Sequence, residues 1–227
     1  MSWFSNFFAL FFPNTCRMCR TPLLKGETTL CTKCIASLPY TRYWEYEDNP
    51  VAQKFWGQIN ATAACSLLHF RKGAKVRKLI HQLKYTGKTE IGYKLGYLLG
   101  VHLKSNAVYA DIDYVVPVPL HRRKQQKRGY NQSDFIAEGV ADALGVKSAP
   151  SLVRRNTYTS TQTQKNRIER FQNVRSIFQV THPTLIEGKH ILVVDDVITT
   201  GATIESCAAE LLNAAPCRVS IASIGTV

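Results

Sequence analysis

A chain of 227 residues can bury a substantial core in one domain and still carry a small appendage. Its 45% hydrophobic content is that of an ordinary soluble globular protein, and no apolar run is long enough to cross a bilayer. With 29 Lys and Arg against 16 Asp and Glu, the formal charge of +13 is large for an enzyme of a small neutral metabolite and points to a polyanion, either nucleic acid or a pyrophosphate-bearing substrate.

The first segment, Trp3 to Phe12, is an aromatic lead broken by Ser5 and Asn6. It lacks the basic start and small-residue cleavage site of a signal peptide, and the residues before Cys16 do not form a lipoprotein site. It reads as a helix packing on the body or on a partner, in a cytoplasmic protein. Two cysteine pairs follow, Cys16-Arg17-Met18-Cys19 and Cys31-Thr32-Lys33-Cys34, with Gly26 in the loop between them. Each two-residue spacer sets two thiolates at chelating distance, so the pairs can bring four thiolates to one tetrahedral Zn²⁺. A redox dithiol is the alternative; two matched pairs favour zinc. With all four positions taken by protein, the metal would be structural, and about 35 residues need it because they cannot bury enough apolar surface alone. Seven cysteines in all is an odd number, which argues for a reducing compartment rather than a disulfide framework. Cys65, Cys207 and Cys217 read as buried small hydrophobes.

The chain divides into an N-terminal region 1–38 (aromatic lead and cysteine module), a connector 39–60 and an α/β domain 61–227. In the connector, Tyr40, Tyr43, Trp44 and Tyr46 are expected to pack the module on the main domain. Residues 61–70 read as a strand, and 74–85 and 90–104 as helices joined around Gly87. On the first helix Lys75, Arg77, Lys78, His81 and Lys84 lie opposite Val76, Leu79, Ile80 and Leu83. Ile112 to Val118 is a second apolar strand. It leads into a basic loop, 119–129, with five Lys or Arg between 121 and 128 and no acid. Next comes a helix that Asn131 or Ser133 can cap, with Ile136, Val140, Ala143 and Leu144 on one face. Residues 154–173 show no periodicity and are rich in Thr, Gln and basic residues, as long functional loops often are. Strands are expected near 174–180, 190–194 and 218–224. The six histidines are taken as structural, with His121 alone near the proposed site.

The most informative stretch is Ile191-Leu192-Val193-Val194-Asp195-Asp196-Val197-Ile198-Thr199-Thr200-Gly201-Ala202-Thr203. Four apolar residues suit a strand covered on both faces. The acid pair falls at its C-terminal edge, where open α/β sheets bind ligands. The turn Thr199 to Thr203 can offer free N–H groups and hydroxyls to a phosphate at a helix start. Phosphate on the turn and ribose hydroxyls on the acids describe a sugar phosphate.

This run closely resembles the phosphoribosyl pyrophosphate (PRPP) motif of type I phosphoribosyltransferases. Val116-Pro117-Val118-Pro119-Leu120-His121-Arg122-Arg123 and Arg128-Gly129-Tyr130-Asn131-Gln132-Ser133 are similar to the signature of the ComF/GntX family. So are the four-cysteine module, Leu83-Lys84-Tyr85-Thr86-Gly87, and Arg155-Asn156-Thr157 followed by Gln162 or Gln164, Arg167 and Asn173. The resemblance implies an α/β type I phosphoribosyltransferase fold, Rossmann-like, with a central parallel sheet flanked by helices and a small N-terminal four-cysteine zinc module. It implies a PRPP-dependent transferase with Mg²⁺ and an unknown acceptor. Asp195 and Asp196 would serve the ribose and, indirectly, Mg²⁺. Thr199, Thr200, Gly201, Ala202 and Thr203 would hold the 5′-phosphate, and Arg122, Arg123 and Lys84 the pyrophosphate. Arg155, Thr157 and Arg167 would belong to the loop that closes over PRPP. The family's link to natural transformation implies competence-machinery partners and an alternative reading, a single-stranded DNA-binding factor that uses the fold as scaffold or PRPP sensor.

Overall fold

The computed structural model describes residues 14–70, 75–156 and 177–227. The expected aromatic lead, and Thr157 and Arg167 with most of the 154–173 stretch, lie outside the described residues.

Five strands form one parallel sheet: β1 (Ala63–His69), β2 (Tyr114–Pro117), β3 (Lys147–Ser148), β6 (His190–Ile198) and β7 (Arg218–Thr226), in the order β1-β7-β6-β2-β3. Because every pairing is parallel, Pro117, Ile198, Thr226 and His69 all end at one edge. β4 (Val153–Arg155) and β5 (Phe178–Val180) make a separate antiparallel ribbon, so the strand expected near 174–180 stands outside the main sheet. The longest strands are apolar on both faces because both are covered. Leu192 and Val194 enter one core with the helices α2 (Lys75–Tyr85), α3 (Glu90–Leu103) and α5 (Gln132–Leu144). Ile191 and Val193 enter the other with the connector and α6 (Ala202–Ala214).

Helices α3 and α5 cross at backbone distance. A Cβ on Gly96 would lie 2.2 Å from the Ile136 carbonyl oxygen, and one on Gly139 would lie 2.1 Å from that of Tyr93. Only glycine permits that approach. It seats α5 firmly on the sheet and fixes where its N-terminus meets the strand edge.

Three expectations are corrected or narrowed. Residues 119–129 are not a plain basic loop: Arg122–Arg128 form a helix, α4. His121 caps it, Nδ1 accepting from the Arg123 N–H at 3.2 Å, and Gly129 ends it. The intervening Arg, Lys and Gln are good helix formers, which is the physical reason. Asp195 and Asp196 are not past the end of their strand. Pairing with β7 continues to Ile198 opposite Thr226, so both acids lie within β6, near its C-terminal end. Asn131, not Ser133, caps α5, its side chain accepting from the Ser133 N–H.

The cysteine module begins the described chain and includes the short helix α1 (Thr32–Ala36). Cys16, Met18, Leu30 and Cys34 share an apolar cluster with Leu79 and Leu83 of α2. Arg17 pairs with Glu90 of α3 at 2.8 Å, and its carbonyl accepts from Gln82 Nε2 of α2 at 3.1 Å. The connector rings pack as expected on the main domain: Trp44 stacks on His102 of α3 with centroids 4.3 Å apart, and Tyr40 meets the same imidazole edge-on.

Candidate active site

At the C-terminal edge of the sheet β6 brings up the acid pair. Asp195 is half-buried; its Oδ1 accepts from Ser133 Oγ at 2.9 Å and from the Asp196 backbone N–H at 2.8 Å. Burial and the neighbouring Asp196 charge push the Asp195 carboxyl up to about 7. Asp196 is buried, and its Oδ1 accepts from Lys84 Nζ at 2.8 Å. Its other oxygen, Oδ2, is buried without a partner among the described residues. A buried carboxylate oxygen left unpaired is costly, and such a group commonly marks a place for a ligand.

The turn after β6 has the shape its composition implies. Gly201 adopts φ +93, a left-handed conformation that a side chain strains against, and α6 begins directly after it. Thr199, Thr200, Ala202 and Thr203 are solvent-exposed, so the cradle is open. The first N–H groups of α6 have no partner within the helix and favour an anion.

Around the start of α5 lies a cleft of about 460 Å³, lined by residues that include Pro119, Arg122, Asn131, Asp134, Arg154 and Arg155. Burial pushes the Asp134 carboxyl up to about 6, against the hydrogen bond from Asn131 at 2.7 Å. Arg155 also lies over the Phe178 ring, its guanidinium carbon 5.2 Å from the centroid. Arg123 is exposed on α4, one residue beyond Arg122.

The four cysteines are brought together as expected. Their sulfurs all lie within 4.8 Å of one another, and Cys19 Sγ is 3.7 Å from Cys31 Sγ. Tetrahedral zinc with bonds of about 2.3 Å requires sulfurs about 3.8 Å apart. The four-thiolate set therefore fits zinc. Arg17, within the first cysteine pair, is committed to Glu90. Cys65 and Cys207 are fully buried, whereas Cys217 is only half-buried, because it sits in the turn before β7.

Residues 135–225 match the phosphoribosyl transferase domain family. The chain is 28% identical over 226 residues to "DNA utilization protein YhgH" of Escherichia coli K12, covering 92% of this chain and 95% of that one. It is 26% identical to "Competence protein F" of Haemophilus influenzae, covering 86% and 89%, and 37% identical over 106 residues to "Competence protein ComFC" of Bacillus subtilis, covering 46% and 41%. Over nearly its whole length the chain is similar to these proteins named for DNA utilization and competence, and its C-terminal part matches the phosphoribosyl transferase domain. Its parallel sheet, covered on both faces by helices, is the type I phosphoribosyltransferase fold.

Three contributors to this site escape the sequence pattern. Ser133, which the sequence offers only as a helix cap, bonds Asp195. Asp134 lines the cleft beside Arg122. Lys54, in the connector, donates to the Thr199 carbonyl at 2.8 Å. Only Ser133 has a usable signal, its place in the Asn-Gln-Ser run that follows the basic segment.

Proposed function

We propose that this protein binds PRPP with Mg²⁺ and transfers its phosphoribosyl group, in the cytoplasm, within the handling of DNA for which its relatives are named. The observation that carries the reading is the buried, unpartnered Oδ2 of Asp196 beside the open Thr199–Thr203 cradle. Asp195 and Asp196 bind the ribose hydroxyls and orient the ring; the 5′-phosphate sits on Thr199, Thr200, Gly201, Ala202 and Thr203. Arg122, Arg123 and Lys84 meet the pyrophosphate, and Arg155, Thr157 and Arg167 belong to the segment that covers it. Lys84 would exchange some of its contact with Asp196 for the ligand. Breaking the bond from C1 to pyrophosphate leaves positive charge on the ribose ring, so fixed acids at the ribose and cations around the leaving group supply the stabilisation. When bound, Mg²⁺ neutralises pyrophosphate charge. Zinc on Cys16, Cys19, Cys31 and Cys34 holds the module, and regions 1–38, 39–60 and 61–227 are its three parts. Calorimetric titration with PRPP and Mg²⁺ tests this: Asp195→Ala and Asp196→Ala abolish binding. Unchanged affinity in both would overturn it.

A second reading, binding of single-stranded DNA and competence-machinery proteins, is favoured by one surface. A cleft of about 350 Å³ is lined by Lys84, Tyr85, Lys124, Lys127, Arg128 and Tyr130, with Gly87, and every charged group in its lining is a cation. Tyr85 is 61% exposed, with Arg128 over its ring at 5.1 Å. Cations for phosphates beside a ring for a base are the elements of single-strand binding. Fluorescence anisotropy with an oligothymidylate should show affinity falling steeply with salt. No binding at low salt removes the reading.

A further inference from the structure

We propose that Lys54, a connector residue outside the matched 135–225 domain, is the side-chain cation of the 5′-phosphate pocket. The inference rests on the PRPP reading and adds a binding residue to it.

The connector is seated on the phosphate turn by construction. Asn49 is buried and organises the segment. Its Nδ2 donates to the carbonyls of Tyr43, Tyr46 and Ala64 at 3.1, 3.0 and 2.8 Å, and its Oδ1 accepts from the N–H groups of Val51 and Ala52 at 3.0 and 3.1 Å. That anchors the 3-10 turn Ala52–Phe55 to β1. The turn then presents two neighbours to the cradle. Phe55 is buried, and its Cε1 lies 3.0 Å from where a Cβ on Gly201 would stand. The ring and the left-handed turn are shaped against each other, so the connector cannot slide along the loop. Lys54, half-buried, reaches the same turn and places Nζ 2.8 Å from the Thr199 carbonyl.

An ammonium has three donors. One is used on Thr199, which leaves two N–H groups at the rim of a turn whose Thr199, Thr200, Ala202 and Thr203 are solvent-exposed. No carboxylate pairs with Lys54 among the described residues, so its charge is not spent on an ion pair. The backbone of the turn contributes only partial charges; a phosphate of about −2 gains a full opposite charge from Lys54. The independent sign of a ligand at this edge is the unpartnered Asp196 Oδ2, two residues before the end of the same strand.

The test uses the full chain with three probes: PRPP with Mg²⁺, ribose 5-phosphate, and inorganic pyrophosphate. Lys54→Ala should weaken PRPP and ribose 5-phosphate by on the order of tenfold, the usual scale of one charged hydrogen bond, and leave pyrophosphate unchanged. Lys54→Arg should retain most of the affinity. A thermal melt confirms that Lys54→Ala is folded. Ribose 5-phosphate affinity within twofold of the unsubstituted protein overturns the proposal. So does an equal loss for pyrophosphate, which would mean a diffuse charge effect. If the unsubstituted protein binds none of the probes, the PRPP reading itself fails and this proposal with it; binding by the unsubstituted protein with no response in Lys54→Ala sinks this proposal alone.

Discussion

At Asp196 the chain stores a buried charge that one partner compensates. Lys84 and Asp196 are 23% and 6% exposed on their side chains, so solvent screens the pair weakly. Lys84→Met should therefore destabilise by about 3–5 kcal/mol, since it strands a carboxylate in the interior. Adding Asp196→Asn should recover part of that loss, measured by urea denaturation of the two single variants and the double. A second buried polar cluster lies at the opposite end of the sheet. Buried His190 stands between Asp111 Oδ1 at 2.7 Å and Ser220 Oγ at 2.9 Å. The order Asp, His, Ser imitates a hydrolase triad, but Ser220 is fully buried in β7 and offers no attacking oxygen. His190 itself is fully buried between these two partners. Arg218 first, and then His190, hold the Asp111 carboxyl down at about 2. A carboxyl lowered on folding adds stability above its unfolded value of about 4 and loses it as pH falls toward 2. Asp111→Asn should flatten that part of the acid-unfolding profile, recorded as melting temperature against pH. The acid pair was legible residue by residue because strand, acids and Thr-rich turn are contiguous. The charge partner of Asp196 is 112 residues away, and no local pattern marks such a pair.

Among elements, the glycine contacts of α3 and α5 and the turn after β6 make different demands. Gly139→Ala forces a Cβ to within 2.1 Å of a backbone oxygen, which side-chain rotation cannot relieve. The two helices must separate, and the expected cost is about 1–3 kcal/mol or more by denaturation, as for other overpacked cores. PRPP affinity should fall as well, because α5 carries Ser133 to Asp195. Helix existence was readable from apolar spacing at 74–85, 90–104 and after 131. The tight crossing was not, since a glycine inside a helix pattern looks the same whether it packs or merely weakens. The α4 helix was hidden for a related reason. Its seven residues bury nothing, so no apolar stripe distinguished it from a solvated basic loop. The extent of β6 was underestimated because its last four residues include two acids, and pairing to β7 rather than polarity decides where it ends.

The whole molecule joins its four-cysteine cluster to its sheet edge through α2. The cysteine module seats one side of that helix through the Leu79 and Leu83 cluster and the Gln82 bond to the Arg17 carbonyl. Near the helix end, Lys84 reaches Asp196. The cysteine spacing made the clustering of the four sulfurs legible, but not the module's role as a wall of the main core, because spacing says nothing of what the module rests on. If zinc holds the four cysteines, removing it lets the crowded sulfurs take up protons and takes away the metal–sulfur bonds that tie the two pairs together, so the module opens. Stripping with a strong chelator should lower the melting temperature and weaken PRPP binding by on the order of tenfold, a typical coupling between two sites. The readout that separates coupling from general unfolding is hydrogen exchange. Amides of α2 should lose protection at chelator levels where those of β6 and β7 keep theirs, because the strands are held by pairings that do not involve the module. Equal protection of α2 with and without metal would mean that the module folds as an independent appendage and that Lys84 is positioned by α3 and the sheet alone.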